Sequence, residues 1–148
     1  MTANVVKLRK DPSLATYQDR TSQQVNSNYQ DLNPKQILDI NRYIEQANTC
    51  FAQGDIEGAT VNFQNAISLY PDCVKLYTER AKFRRHKLGD LGGALEDYTQ
   101  AIRIHPQNAF FYFCRSQTYQ ELGNQQKANE DYNTAMNLAP DGTMHHFS

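Results

Sequence analysis

The 148-residue sequence lacks the long apolar segments and the strong net charge that would direct it to a membrane or to nucleic acid. No run of residues approaches the roughly 18 apolar positions that a membrane span requires. The formal charge of −1 provides no overall attraction to phosphate backbones or anionic lipids. The amino-terminal segment MTANVVKLRK has no apolar core long enough for a secretory signal, and this predicts a cytoplasmic protein.

Paired cysteines and catalytic signatures are also missing. The three cysteines, Cys50, Cys73 and Cys114, form no Cys-x-x-Cys pair and no cluster with histidine, so we expect free thiols that are buried or half-buried. The sequence contains no phosphate-binding loop, nucleophile elbow or zinc signature. We therefore predict that the protein is not an enzyme, has no catalytic residues, and uses neither a cofactor nor a metal.

Residues 1–32 differ in composition from the rest of the chain. Between Gln18 and Asn33 there are seven Gln or Asn residues and little apolar periodicity, which predicts a disordered or loosely docked segment. The tripeptide Tyr-Gln-Asp occurs twice in this segment, at residues 17–19 and 29–31. We hypothesise that the segment docks in a groove of its own or a neighbouring chain and competes there with a ligand. The alternative is a solvated tail without a role.

The rest of the sequence repeats one pattern three times. Pro71, Pro106 and Pro140 lie 35 and 34 residues apart. At five, eight, twelve and seventeen residues before each proline, the copies share alanine, an aromatic residue, alanine and glycine. In the same order, these columns are Ala66, Ala101 and Ala135; Phe63, Tyr98 and Tyr132; Ala59, Ala94 and Ala128; and Gly54, Gly89 and Gly123.

Each copy predicts a helical hairpin. The glycine marks the turn after a first helix, small residues on the second helix allow a close approach, and the proline ends the second helix. One hairpin cannot cover its own apolar surface, so the three are expected to stack. Asn33 and Pro34 predict the start of the first helix. One extra residue near the segment RRHKLG predicts a longer first helix or a distorted turn in the second copy.

These columns resemble the tetratricopeptide repeat family over about three quarters of the chain. The resemblance implies an all-α superhelix of three helix-turn-helix repeats, at about residues 40–73, 74–108 and 109–140, within a domain of residues 33–140. It also implies that the first helices line a concave groove that binds a peptide or helix of another protein, as an adaptor or scaffold does. Carried residue by residue onto this sequence, the partner-binding positions are Asn48, Phe51, Lys75, Lys82, Arg85, Phe110, Phe113 and Gln117.

One binding mode of the family is not expected here. Some members hold the terminal carboxylate of chaperones with a Lys/Asn/Asn/Lys/Arg set. Only Asn48 fits that set in this sequence, and the other places are occupied by Ile44, Glu79, Phe110 and Cys114. The partner is therefore not predicted to be a chaperone tail.

The charge of the second repeat indicates the chemistry of the partner. Residues 74–88 carry six lysines and arginines against the single Glu79, which favours an acidic partner segment. Alternatively, these cations form a solvated helix face with some pairing to Glu96 or Asp97. Nucleic-acid binding through the same helix is a further alternative, which the overall charge and the lack of a second basic helix disfavour.

Aromatic residues of the third repeat add an apolar component. Phe110 and Phe113 are predicted to be exposed in the groove while Tyr112 packs, although they could instead pack against the neighbouring helix. After Pro140 the residues 141–148 form a short tail, too short for a capping helix, so Tyr132, Met136 or Leu138 is expected to be partly uncovered. A structural homo-oligomer through this uncapped repeat is therefore another alternative.

Overall fold

The structure, a computed structural model, describes residue 29 and residues 31–141, and in this part the chain forms three helical hairpins. The first pairs α1 (Pro34–Ala52) with α2 (Ile56–Leu69). The second pairs α3 (Val74–Phe83), which continues into a π-helical turn (Arg84–Leu88), with α4 (Leu91–Ile104). The third pairs α5 (Ala109–Glu121) with α6 (Gln125–Leu138). The predicted all-α superhelix is confirmed. We call α1, α3 and α5 the A helices, and α2, α4 and α6 the B helices.

Each hairpin turn combines a glycine with a capping side chain. The three glycines have φ values between 65° and 83°, a left-handed conformation that is strained for residues with a Cβ atom. The next residue caps the B helix, because its side-chain oxygen accepts a hydrogen bond from the backbone N–H three residues later at 2.8–3.1 Å. The pairs are Gly54 with Asp55, Gly89 with Asp90, and Gly123 with Asn124. Sequence reasoning found the glycines but missed the Asp/Asn column beside them.

The π turn accommodates the extra residue of the second unit. In the first hairpin, the backbone N–H of Asp55 donates to the carbonyl of Cys50, five residues earlier, at 2.8 Å, and the third hairpin has the same span. In the second hairpin, Asp90 donates to Arg84, six residues earlier, also at 2.8 Å. The wider turn holds one more residue while the helix cap is unchanged. Of the two predicted outcomes, the structure has the distorted turn.

The repeated alanines and aromatic residues form the contacts between helices. All six alanines of the two columns are at most 3% exposed, and Phe63 and Tyr98 are 1% exposed beside them. Full burial of a side chain as large as Phe63 contributes about 1.5–3 kcal/mol. Leu76 packs into the core of the first hairpin, and Phe111 packs against Ala101 of the second. The hairpins are therefore joined by side chains of the A helices that insert into the preceding unit.

Predictions for the two ends of the array are also confirmed. The side chain of Asn33 accepts from the backbone N–H of Gln36 at 2.9 Å, the Gln36 side chain accepts from the N–H of Asn33 at 3.0 Å, and Pro34 is the first helical residue. In the third hairpin, Tyr132 is 44% exposed, unlike the aromatic residues of the same column.

The thiols provide a first test of this packing. As predicted, no disulfide joins the three cysteines, all of which lie within the described residues: Cys50 is half-buried, and Cys73 and Cys114 are buried. Burial raises the pKa of Cys73 above its usual value and raises the pKa of Cys114 to about 11. Because the thiolate is the reactive form, we expect a dithionitrobenzoate titration at pH 8 to modify Cys50 rapidly and the other two only after unfolding. Rapid modification of a Cys50→Ser variant would contradict this expectation.

Candidate functional site

The A helices share a surface that contains most of the predicted partner-binding residues. We call this surface the A face. It is lined by side chains at helical spacing on α1, on α3 with its π turn, and on α5. Its defining residues are Asn41, Asn48, Phe51, Lys75, Lys82, Arg85, Lys87, Gln117 and Glu121.

Side-chain hydrogen bonds connect neighbouring A helices across this face. Lys75 Nζ on α3 donates to Asn41 Oδ1 on α1 at 3.1 Å. Arg85 Nε, in the π turn, donates to Glu121 Oε1 on α5 at 2.9 Å, and Arg85 also donates to Gln117 at 3.4 Å. The hydrogen bond from Arg85 holds the pKa of the Glu121 carboxyl below its usual value. These bonds link the three helices at the surface, and the packing of Leu76 and Phe111 sets the relative positions of the helices.

The prediction that Phe110 and Phe113 are exposed in the groove is wrong. Both side chains are half-buried. Phe110 packs against two groups of buried residues, one that contains Tyr98 and one that contains Phe111. Phe113 packs against the group that contains Ala135, at the end of the third hairpin. The reason is that α5 lies between two other helices, so a helix with five aromatic residues contacts neighbours on more than one side. The alternative stated for Phe110 and Phe113, that they pack against a neighbouring helix, agrees with the structure.

The cationic segment is also less available than its composition suggests. Arg80 and Arg84 point to the buried Asp97 on α4, and Arg85 is held by Glu121. Lys82 pairs at 3.3 Å with Glu79 on the same helix, but its side chain is 47% exposed, and surface pairs of this kind contribute little. The exposed basic side chains of this segment are therefore Lys82, His86 and Lys87 rather than all six cations.

Asp97 is the centre of an ion-pair network inside the second hairpin. Its side chain is 1% exposed and accepts hydrogen bonds from Arg80 Nε at 3.0 Å, from Arg80 Nη2 at 2.7 Å and from Arg84 Nη1 at 3.1 Å. Burial raises the pKa of Asp97, and the two guanidinium groups oppose that rise. The third hairpin has the same pairing between Arg115 and Asp131 at 2.7 Å. The network therefore connects helix A to helix B within a repeat and is structural.

The first hairpin, which lies entirely within the described residues, has no such ion pair at the equivalent positions. These are occupied by the neutral amides of Gln46 and Asn62, which line an open cleft of about 430 Å³ between α1 and α2. Asn62 Nδ2 donates to the carbonyl of Gly58 at 2.9 Å and contacts Cys50 Sγ at 3.7 Å. The two helices of this hairpin therefore have no charged link at that point, and the Asn62 amide connects them only through its contact with Cys50.

Lys87 is a site residue that sequence reasoning missed. Its ammonium nitrogen lies 5.6 Å from the ring centroid of Phe51 on α1. The same ring makes an edge-to-face contact with Phe83 at 5.5 Å, so one side of Phe51 is packed against α3. A cation beside a half-buried ring is a suitable surface for a partner segment that carries both acidic and apolar side chains. The sequence feature that could have indicated Lys87 is the extra residue of the second repeat, because the widened turn that holds this residue contains Lys87.

Tyr29, from the segment that precedes α1, is docked on the A face. It is 9% exposed and belongs to the core cluster of the first hairpin. Its hydroxyl donates to Asn41 Oδ1 at 2.7 Å and accepts a hydrogen bond from Lys75 Nζ. Lys75 Nζ also lies 4.9 Å from the centroid of the Tyr29 ring. The other Tyr-Gln-Asp copy, at residues 17–19, lies outside the described residues.

Two other kinds of site are not found in residue 29 and residues 31–141. This part of the chain contains no group of three or more His, Cys, Asp or Glu side chains that could hold a metal ion. It also contains no helix with the length and apolar character that crossing a bilayer demands.

Comparison with known proteins assigns the repeats to a family. Two family models match, one described as TPR repeat over residues 84–123 and one described as tetratricopeptide repeat over residues 111–141. Residues 84–141 contain tetratricopeptide repeats (TPR). The matches fall on the second and third hairpins. The first hairpin shares the glycine, alanine and proline columns and the order of helices with these two hairpins.

Individual relatives resemble the TPR chain over part of their length. Mouse sperm-associated antigen 1 is 29% identical over 104 residues, which cover 70% of this chain and 11% of that protein. Mouse tetratricopeptide repeat protein 36 is 45% identical over 51 residues, covering 34% of this chain and 27% of that protein. The bovine protein of the same name is 36% identical over 72 residues, covering 48% of this chain and 38% of that protein. The chain thus matches well under half the length of these relatives.

Solved structures show the same TPR fold. The N-terminal domain of stress-induced protein-1 from C. elegans superposes with a TM-score of 0.63 at 15% identity, covering 78% of this chain and 94% of that one. A mutant O-GlcNAc transferase from Thermobaculum terrenum superposes with a TM-score of 0.56 at 15% identity, covering 75% of this chain and 21% of that one. The fold and the repeats together support a general role as a protein–protein interaction adaptor.

Proposed function

We propose that the protein is a non-enzymatic adaptor whose A face binds a peptide or helix segment of another protein, and that this segment carries acidic and apolar side chains. The observation that carries the proposal is the fixed arrangement of the A face. Its helices are tied together by Lys75 with Asn41 and by Arg85 with Glu121. A surface whose side chains are held in place before binding loses less entropy when a partner docks.

The geometry narrows the predicted contacts. Lys82 and Lys87 provide exposed positive charge, and Phe51 provides a ring beside Lys87. Asn48 on α1 and Gln117 on α5 border this region and offer neutral hydrogen-bonding groups. Phe110 and Phe113 contribute mainly to packing, so we place the apolar contact at Phe51. The proposed binding surface is therefore still basic and apolar at its centre, but this centre lies closer to α1 than the sequence predicted.

The nucleic-acid alternative is weakened by the ion pairs. Arg80 and Arg84 are directed at Asp97, and Arg85 is directed at Glu121. A phosphate backbone would therefore meet Lys82, Lys87 and the tyrosine-bound Lys75, which is a short row for a polyanion. No specific observation favours this function over protein binding.

Photo-crosslinking tests the proposed function. A photoreactive phenylalanine analogue replaces His86, which is exposed beside Lys82 and Lys87, or Gln64, which is exposed on the B helix α2. In an extract of the native cells, we expect defined protein adducts from position 86 and none from position 64. Lys82→Glu with Lys87→Glu should reduce these adducts at least tenfold, because the acidic segment is then repelled.

A matched control keeps the change in charge the same. Arg103→Glu with Lys127→Glu alters charge equally on the B helices, and the adducts should be unaffected. Arg85 is left unchanged, since its reversal would also place a carboxylate next to Glu121 and break the connection between α3 and α5. Adducts that survive the reversal of Lys82 and Lys87 but disappear in the control would reject the A face as the binding site.

A further inference from the structure

The docked Tyr29 occupies a site made by two helices from different repeats. Asn41 is on α1 and Lys75 is on α3, and the hydroxyl of Tyr29 contacts both. A phenol hydroxyl has one proton to donate and lone pairs to accept. Here it donates to the Asn41 carbonyl oxygen and accepts from the Lys75 ammonium, whose nitrogen lies 4.9 Å from the ring centroid. Phenylalanine could form neither hydrogen bond.

The site is formed by the A face rather than by the tyrosine. Lys75 Nζ donates directly to Asn41 Oδ1 at 3.1 Å, so the two groups face one another whether or not a hydroxyl lies between them. Both belong to helices of the array, and Lys75 lies seven residues, about two helical turns, before Lys82. Removing the tyrosine would therefore leave a preformed donor and acceptor at the surface.

Tyr29 is joined to the start of α1 by a short turn. The backbone N–H of Leu32 donates to the carbonyl of Tyr29 at 3.1 Å, closing a turn in which Asp31 has φ of 63°. Leu32 packs with Ile37 in the core of the first hairpin, as in a hydrophobic staple. An aspartate tolerates this left-handed conformation better than most residues, but it remains a local cost. The staple fixes where the chain enters α1, and the Tyr29 ring lies beyond it.

We propose that the Asn41–Lys75 site is a tyrosine-recognition subsite of the A face, and that Tyr29 is an internal occupant which a tyrosine of the partner segment displaces. The proposal rests on the function proposed above, because it names one side chain of the segment that the A face binds. It adds that binding is regulated within the chain. A tethered side chain has an effective concentration in the millimolar range, so a partner must gain further contacts, such as those at Lys82 and Lys87, to replace it.

A partner can use the subsite only in molecules where Tyr29 has left it. The apparent affinity for a partner is therefore the intrinsic affinity multiplied by the fraction of molecules in which the subsite is empty. If the subsite is empty in about one molecule in ten, removing the internal tyrosine should tighten binding about tenfold. The test uses the full chain with Tyr17→Ala and Tyr29→Ala. Tyr17 is included because residues 17–19 repeat the tripeptide of residues 29–31. The probe is a blocked synthetic peptide with the sequence of residues 27–33, Ser-Asn-Tyr-Gln-Asp-Leu-Asn.

The readout is a nuclear magnetic resonance titration of the ¹⁵N-labelled protein, with the side-chain amide of Asn41 as the local reporter. We expect the peptide to bind the double variant at least tenfold more tightly than the unmodified chain and to shift the Asn41 amide. A peptide with phenylalanine in place of tyrosine should bind more weakly, since it cannot form the hydrogen bonds of the hydroxyl. Lys75→Met in the double variant should abolish the shift.

Equal affinity of the peptide for the unmodified chain and the double variant would overturn the proposal, as would binding that survives Lys75→Met. If the double variant is poorly folded by circular dichroism, Tyr29→Phe with Tyr17→Phe retains the rings, and a smaller gain in affinity is then expected; no gain rejects the proposal. The crosslink at position 86 tests the adaptor function separately. Adducts at position 86 without peptide binding at Asn41 would reject this subsite alone, whereas missing adducts would reject the adaptor function.

Discussion

Replacing Asp97 by asparagine is expected to lower the free energy of unfolding by about 3 kcal/mol. The change leaves a side chain of the same shape but removes the charge that Arg80 and Arg84 share in the interior of the second hairpin. Breaking a buried pair by removing one partner is costly because the remaining charge is left without compensation. Since domains are stable by only about 5–15 kcal/mol, the loss is large. Urea denaturation followed by circular dichroism at the helical band measures it.

Glu96→Gln is the matched control, because Glu96 is the adjacent exposed carboxylate and its loss should change stability by less than about 0.5 kcal/mol. Arg80→Met should cost less than Asp97→Asn, since the Arg80 side chain is partly exposed and Arg84 still pairs with Asp97. If Asp97→Asn proved no more destabilising than Glu96→Gln, the network would have no role in holding α3 to α4.

The second large effect is expected in the aromatic column. Tyr98→Ala should destabilise the protein by about 4 kcal/mol, whereas Tyr132→Ala should cost about 1 kcal/mol or less. The two tyrosines occupy the same position of successive repeats, but Tyr98 is 1% exposed and Tyr132 is 44% exposed. The cost of truncation rises with the buried apolar surface of the removed ring and with the cavity that remains, so the same mutation should have different consequences.

Thermal and urea unfolding of both variants would check the comparison, and each serves as the control for the other because the chemical change is identical. Comparable losses for Tyr98→Ala and Tyr132→Ala would mean that the third hairpin is covered in solution, for example by a second copy of the chain. Light scattering of the same samples would then reveal the association directly.

The repeat columns could be predicted because each reports a local requirement. Gly89 must adopt a left-handed conformation, Ala101 must allow two helices to approach, and Pro106 cannot continue a helix. Such requirements recur at a fixed spacing and do not depend on which other residues are near. The three hairpins and their order therefore follow from one sequence.

The use of the charged residues could not be predicted with equal certainty, because it depends on pairs across helices. By composition alone, Arg80 and Lys82 are equivalent cations of the second repeat. In the structure, Arg80 is bound to a buried carboxylate, whereas Lys82 is exposed. A usable signal existed. Arg115 and Asp131 stand at the repeat positions of Arg80 and Asp97, so opposite charges recur together in two units.

The position of Tyr29 had no counterpart in the repeat pattern. The segment before Asn33 lacks periodicity, so hydrophobic spacing could not show that one of its side chains packs on α1. Phe110 is a different failure, since helical spacing could not show how closely α3 and α4 approach it. In both cases the missing information is tertiary.

The π turn shows how a repeat protein can acquire new surface chemistry. A substitution on a packed helix replaces a side chain that already has neighbours, and the fold must tolerate the loss. An inserted residue that a widened turn absorbs adds a side chain and removes none, while Asp90 still caps the following helix. Arg85, His86 and Lys87 lie in this widened turn. Lengthening a unit by one residue therefore offers an evolutionary route to new recognition that leaves the scaffold of the neighbouring units intact.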